Sequence, residues 1–438
     1  MSPTIDPAAR NTPIEPRFVV RTDRRVIRAN GRSTRFLLID LVAPTILPDP
    51  SRRRPPVNLG FVLDRSGSMG SQNKIGLARR AVLEAVQRLE APDRFSVVVY
   101  DEQIEVIVDS VVASGESRQL TADRLAIVAA RGSTNLHGGW LAGCEQVATQ
   151  LALEGVNRVM LLTDGLANVG IRDSDQLTTL AYELRCRGVS TTTFGVGADF
   201  DEGLLQGMAD AGGGHFYFIG DLAQMRDHIT SEVGETLETA AREVVLEVTL
   251  PESARVASLS PFRIEQRPGR ALVRLGDMVS GQVLSIALRV TFDFGEVGRE
   301  VGVGVRVTDR DGAFERDVDP VTVAWTYGDG PANDTQPRDR DVDRVVARLF
   351  AERAKQEAVA LNRQGQFTEA GKTLEDVRSR IATYAGSDEA LHQIVAELHD
   401  DAVAYAEVMP EMARKLRYSA SHQVSHMRSP DGKSIRRP

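Results

Sequence analysis

A chain of 438 residues with 42% hydrophobic composition is long enough for two or three domains with real cores, at about 150 residues each. Its 53 Lys and Arg against 61 Asp and Glu give a formal net charge of −8, which excludes a chain-wide basic footprint for nucleic acid. The first residues, Met1 to Asn11, hold no apolar run, and no stretch approaches the ~18 uncharged apolar residues of a membrane span, so neither a secretory signal nor a bilayer helix is expected.

In chain order, residues 1–16 read as a disordered N-terminus. Residues 17–56 carry two β-like stretches, Phe18 to Arg28 and Arg35 to Val42, whose arginines alternate with apolar residues as on a solvent-facing strand surface. From 57 to 238, apolar runs alternate with helical periods. Val57 to Asp64, Phe95 to Tyr100, Arg158 to Asp164, Val189 to Gly195 and His215 to Ile219 read as strands. Ile75, Ala78, Val82, Ala85, Val86 and Leu89 recur at spacings that line one face of a helix from about Lys74 to Leu89. The alternation predicts the α/β class, a mostly parallel, Rossmann-like sheet with helices on both faces.

Beyond it, Arg242 to Leu250, Ala271 to Leu275, Val283 to Phe294, Glu300 to Val307 and Val321 to Tyr327 are short alternating strands bounded by turn residues. Residues 239–327 are therefore expected to form a β-sandwich. The strands before residue 57 are too few to fold alone, so they are expected to complete it, with the α/β domain inserted between. Residues 328–340 form a turn-rich polar linker. From 341 to 410 the period becomes helical: Val342, Val346 and Leu349 open one helix, Gly365 breaks it, Phe367, Ala370 and Leu374 line a second, and Leu391, Ile394 and Leu398 a third. A helical hairpin or small bundle fits; the run from Ala354 to Ala370 is similar to one tetratricopeptide-like hairpin, without a second copy. The basic, Ser-rich residues 411–438 hold almost no large aliphatics and are expected to be a disordered tail, with Ser419, Ser421, Ser425 and Ser429 open to phosphorylation. Cys144 and Cys186 make no disulfide framework; buried free thiols and a cytoplasmic setting are expected.

The chemistry gathers at strand ends. The first strand of the α/β region ends in Asp64-Arg65-Ser66-Gly67-Ser68-Met69-Gly70, with a helix soon after. The loop Arg131 to Gly139 places Thr134 before another helix, and the strand through Leu162 ends at Asp164. In an open parallel sheet the crevice beyond the C-terminal strand ends is where ligands bind. A plainer reading is that Ser66, Ser68 and Thr134 cap helices while the aspartates accept backbone N–H groups.

These residues make the region resemble a von Willebrand factor type A (VWA) domain of bacterial type: D-x-S-x-S at Asp64, Ser66 and Ser68, the loop threonine Thr134, the strand-end Asp164, and the F-G-V-G turn from Phe194 to Gly197. All five donor positions match the family's metal-ion-dependent adhesion site. The resemblance implies that Asp64, Ser66, Ser68, Thr134 and Asp164 hold a divalent cation, and oxygen-only donors suit Mg²⁺, or else Mn²⁺ or Ca²⁺. A partner protein supplying an exposed Asp or Glu would complete the coordination, so a metal-dependent protein–protein interaction module without catalytic residues is expected. The alternatives are a metal-dependent hydrolase and a subunit coupling an ATPase to its client. The strands on either side resemble bacterial relatives of the calcium-activated chloride channel regulator and inter-α-inhibitor heavy chains.

Other motifs carry less. Gly365 to Thr373 looks like a phosphate-binding loop with one residue too many between its glycines and no strand before it, so a helix-hairpin turn is expected. His422 and His426 have the spacing of a zinc protease, but Gln423 stands where the glutamate belongs, and no metal is expected there. His137 and His215 have no paired nucleophile.

Overall fold

Three strands open the chain, β1 (Arg17–Thr22), β2 (Val26–Arg28) and β3 (Ser33–Val42), in a computed structural model that describes residues 17–46, 54–314 and 319–437. The disorder expected for residues 1–16 lies outside the described residues. The α/β region then runs β4 (Val57–Asp64), α1 (Lys74–Gln87), β5 (Arg94–Tyr100), β6 (Ile104–Val112), α2 (Gly115–Ala126), α3 (Leu136–Ala148), β7 (Val156–Thr163), α4 (Ser174–Cys186), β8 (Ser190–Val196), α5 (Glu202–Gly212), β9 (Gly213–Ile219) and α6 (Met225–Leu237). Its sheet has the order β6-β5-β4-β7-β8-β9. Every pairing is parallel except that of β6, which lies antiparallel on β5 at the edge. β4 and β7 are buried at all eight of their residues, as strands covered on both faces must be. Alternation along β4 divides two cores: Leu59, Phe61 and Leu63 face α1 and α6, whereas Val62 faces α3. The chain leaves β4 to β5 on one side and later returns to β7 on the other, so the sheet's switch point falls at the end of β4, where Asp64 stands.

β6 shows no continuous apolar run in the sequence because an edge strand exposes part of its length: Glu105 and Asp109 face water.

After α6 come β10 (Thr239–Thr249), β11 (Ala254–Ser258), β12 (Ile264–Arg267), β13 (Arg270–Val279), β14 (Val283–Phe292), β15 (Glu300–Thr308) and β16 (Val321–Gly328). They form two sheets, β1-β3-β14-β11 and β12-β13-β10-β15-β16-β2. β3 pairs with β14 from Ser33 opposite Phe292 to Val42 opposite Val283, and β2 runs parallel to β16. The sheets meet where Phe292 packs on Trp325, ring centroids 5.0 Å apart. The early strands thus sit among the late ones, with the α/β region between them in sequence. Arg35, expected on a solvent face, is buried instead; its Nε donates to the Val26 carbonyl at 3.0 Å and Nη1 to that of Thr34 at 2.6 Å. Burial lowers its pKa to about 10, with the neighbouring Arg24 charge adding to the effect.

The segment read as a linker contains α7 (Gly330–Thr335), capped by the Asp329 carboxylate at 2.9 Å from Ala332 N. Then follow α8 (Arg340–Arg363), α9 (Phe367–Ala385), α10 (Glu389–Tyr405) and α11 (Glu411–Ser425). Gly365 closes the turn between α8 and α9 at φ +76°, a conformation that costs glycine little. The chain divides into two compact units, one holding residues 1–54, 238–345 and 434–438, the other 55–237 and 346–433. The helical end therefore belongs with the α/β region rather than standing alone. Among the described residues no helix is long and apolar enough to cross a membrane.

The tail expected to be disordered is instead helical over Glu411–Ser425, with Lys415, Ser421, His422, Gln423 and Ser425 buried. It docks through polar pairs that hydropathy does not register. Lys415 Nζ donates to the Glu202 carboxylate at 2.7 Å, and Arg428 Nη2 to that of Glu235 at 2.7 Å and to the Tyr217 hydroxyl at 2.9 Å. Ser421 and Ser425 donate to the carbonyls of Glu352 and Ser421, so neither is open to a kinase. Residues 434–437 pair within the other unit, where Val283 N donates to Ile435 O at 2.8 Å. Of the two free cysteines, Cys144 is buried as expected and Cys186, the last residue of α4, is exposed.

Burial holds the His215 and His228 rings below the usual histidine range; the Arg428 charge adds at His215 while Glu232 opposes. The unfolded chain then binds more protons than the folded one as pH falls through about 6.5, so stability falls with it, by up to about 1.4 kcal/mol per ring per pH unit. Asp64, raised to about 6, works in the opposite sense below that pH. A lower urea midpoint at about pH 6 than at about pH 7.5 is expected, and equal midpoints would refute it.

Candidate functional site

β4 delivers Asp64 to the sheet's edge, and the chain turns through a 3-10 segment, Gly67–Asn73, before α1. Asp64 is wholly buried. One of its carboxylate oxygens accepts from Ser66 N at 2.7 Å and the other from the Thr163 hydroxyl at 2.6 Å. The Ser66 and Ser68 hydroxyls lie 3.1 Å apart, and Ser68 Oγ donates to Asp164 Oδ1 at 2.6 Å. Thr134 stands across Gly165: a Cβ on that glycine would sit 3.6 Å from Thr134 Oγ1 and 3.7 Å from Ser68 Oγ. All five residues singled out in the sequence are thus brought to one place.

Three loops are locked together to hold them. Gly67 N donates to Gly132 O at 3.1 Å and Arg131 N to Arg65 O at 2.7 Å, tying the first loop to the second. Thr134 N donates to Asn168 Oδ1 at 2.8 Å, and the amides of Asn168 and Val169 donate back to Thr134 O, tying the second to the third. Beneath them the buried Asp101 accepts from Arg65 Nε at 3.0 Å, Arg131 Nε at 2.7 Å and Gln103 N at 2.6 Å. Burial pushes the Asp101 carboxyl up, but these donors outweigh it and leave it below its usual range.

Helix capping does not account for the hydroxyls. Ser66 makes no side-chain cap bond, and α3 is capped by Asn135, whose Oδ1 accepts from Gly138 N at 3.0 Å. The aspartates do satisfy a backbone donor, but among the described residues only Ser66 N.

The sequence reading missed Lys74, Thr163 and Asn168. Lys74 Nζ donates to Asp164 Oδ2 at 2.7 Å from the first turn of α1. Its signal was present, since a lysine four residues before Ala78 falls on the helix's apolar face. Gly197, at φ +76°, lies beside it, where a Cβ would make an ordinary contact 3.5 Å from Lys74 Nζ. Thr163 orients Asp64 from the neighbouring strand, and Asn168 orients Thr134.

Two buried carboxylates near one ammonium leave negative charge poorly compensated. Burial raises the Asp64 pKa to about 6; the Thr163 and Ser66 hydrogen bonds oppose this and the Asp164 charge adds to it. Carboxylates and hydroxyls are hard oxygen donors, a set that fits a Mg²⁺-class cation better than zinc.

Residues 58–231 match the family model described as von Willebrand factor type A domain. The chain is similar to the uncharacterized protein YfbK of Escherichia coli K12, 28% identical over 250 residues that make up 56% of this chain and 43% of that protein. It is also similar to the uncharacterized protein sll0103 of Synechocystis, 27% identical over 263 residues, 58% of this chain and 61% of that one. The chain thus spans about half the length of these relatives. In fold it is similar to the solved structure titled von Willebrand factor type A from Catenulispora acidiphila, with a TM-score of 0.69 at 18% identity, covering 97% of this chain and 98% of that one. A second solved structure, the ArnB paralog VWA2 from Sulfolobus acidocaldarius, gives a TM-score of 0.58 at 17% identity over 91% of this chain and 98% of its own.

Proposed function

Because residues 58–231 are a von Willebrand factor type A domain, we propose that this chain is a metal-dependent protein-binding module that takes a partner's exposed Asp or Glu. Asp64, Ser66, Ser68, Thr134 and Asp164 would hold the cation. Bound Mg²⁺, Mn²⁺ or Ca²⁺ supplies a coordination position that these residues leave unfilled and that a carboxylate can take. The observation that carries the reading is the unbroken hydrogen-bonded run Asp64–Ser66–Ser68–Asp164, with Thr134 across Gly165, drawn from three separate loops. Leu166, 59% exposed and next to Gly165, gives a partner an apolar contact beside the donors.

This reading is preferred to a hydrolase because Thr163, Lys74 and Asn168, the side chains around the donors, are engaged in holding them rather than poised as bases, and a subunit coupling an ATPase to its client would be one case of it. A reducing, cytoplasmic setting agrees with the exposed free thiol of Cys186.

Excess Mg²⁺ should raise the melting temperature of the wild type, by linkage worth about 2.7 kcal/mol at a hundredfold excess over Kd. In an Asp64→Ala, Asp164→Ala double variant calorimetry should find no such rise; an equal rise in both proteins overturns the assignment. Lys74→Met should lower the metal-free melting temperature, since it leaves Asp164 buried without its cation at a cost of about 3–5 kcal/mol. It should also enlarge the Mg²⁺-dependent rise, because the metal then takes over neutralisation of Asp164. A smaller rise than in wild type would mean that Lys74 helps to build the site rather than competing for it.

A further inference from the structure

The His422–His426 pair, set aside in the sequence for want of a glutamate between its histidines, acquires a third group from elsewhere in the fold. Asp210, near the C-terminal end of α5, meets them: one ring nitrogen of each histidine and one Asp210 carboxylate oxygen all lie within 4.8 Å of one another. His426 Nε2 is 2.9 Å from Asp210 Oδ1, and the two imidazoles lie with centroids 3.9 Å apart.

The hydrogen bonding of the two rings is that of ligands. His426 Nδ1 is 2.9 Å from the carbonyl oxygen of His422. A carbonyl only accepts, so Nδ1 carries a proton, and Nε2 is the nitrogen that faces the carboxylate. A metal ion can replace the proton between that nitrogen and the carboxylate, and a backbone bond to the far nitrogen is how metal-ligating histidines are commonly held. His422 is 1% exposed, and its Nδ1 is buried without a hydrogen-bond partner among the described residues. Buried polar atoms are rarely left so.

A second cluster, His215 with Glu232 and Glu235, offers no comparable opening. Glu232 already accepts from Arg158, Thr192, His215 and Tyr217, and Glu235 from Arg428.

We propose that Asp210, His422 and His426 form a divalent-metal site of the zinc class, distinct from the oxygen-lined centre, which fastens α11 to α5. Two imidazoles and one carboxylate suit Zn²⁺ in tetrahedral geometry with water in the fourth position, whereas Mg²⁺ has little affinity for imidazole. The same chemistry separates the two sites in solution.

The test is a Zn²⁺ titration of the metal-stripped full chain in excess Mg²⁺, read by competition with a chromophoric chelator, with Co²⁺ absorption reporting the ligands. One Zn²⁺ per chain and visible bands of tetrahedral Co²⁺ are expected. Affinity should fall at least about tenfold in Asp210→Asn and in His426→Gln, as loss of even an outer-shell partner can cost that much. Asp210→Asn keeps a side chain of the same shape facing His426, so it decides the matter alone should His426→Gln fail to fold. No Zn²⁺ uptake in wild type, or uptake unchanged in the variants, overturns the proposal and leaves a hydrogen-bonded pair that merely docks the helix.

Discussion

A chain ending at Pro410 should melt at least about 10 °C below the full-length protein, several kcal/mol of lost stability at roughly 2–4 °C each. Truncation removes α11 and the residues after it, and with them the partners of two buried carboxylates. Glu235 loses Arg428, a pair whose side chains are 3% and 5% exposed, and Glu202 loses Lys415 while keeping Arg363. Removing one member of a buried pair costs about 3–5 kcal/mol where the remaining charge stays out of water, as in Arg428→Met, and truncation adds the loss of the packing that covers these carboxylates. Tyr217 would also lose the Arg428 donor to its hydroxyl, and Phe216 the edge of His422 against its ring. Against a total stability of about 5–15 kcal/mol this is a large fraction. Calorimetry on the truncated chain and on Arg428→Met checks it. The single variant should reproduce a substantial part of the drop; melting within about 2 °C of wild type in both would show that α11 contributes almost nothing to the unit it joins.

Removal of residues 1–46 should be equally damaging to the β-rich unit. β3 is an interior strand of its sheet, lying between β1 and β14, and ten residues of β14 pair with it. Leu37, Ile39 and Leu41 are fully buried, and each such side chain contributes about 1.5–3 kcal/mol through the water it no longer meets. Their loss would also bare the β14 edge, a ready template for pairing with another chain. Light scattering should find oligomers and a hydrophobic dye should bind. A monomer as stable as wild type would mean that the later strands close their sheets unaided.

Much of the α/β fold is legible in the sequence. The α/β region announced itself through β4 and β7, whose apolar stretches Leu59 to Leu63 and Val159 to Leu162 alternate with helical periods as strands covered on both faces do. The donors were legible for a related reason. Asp64 and Asp164 each close an apolar run, and a polar residue at the end of a buried strand has few places to be except the sheet's edge. Ser66, Ser68 and Thr134 were singled out as donors by the resemblance to the VWA family, since turn context alone also fits helix caps. Less visible was Lys74, a cation on an otherwise apolar helix face, which sequence alone reads as a blemish in a period and which the fold sets 2.7 Å from Asp164.

Burial of apolar area and local turn chemistry leave a periodic trace in the sequence, and from that trace came the strand and helix order of the α/β region, while the resemblance to the VWA family singled out the five donors. Polar pairing between distant segments leaves none, because a charged residue looks alike whether it faces water or a buried partner two hundred positions away. Only the tertiary structure could turn the basic tail into a docked helix, bury Arg35 and Arg428, and bring Asp210 to His422 and His426. In each case the deciding energy is the desolvation of a charge against the partner the fold provides.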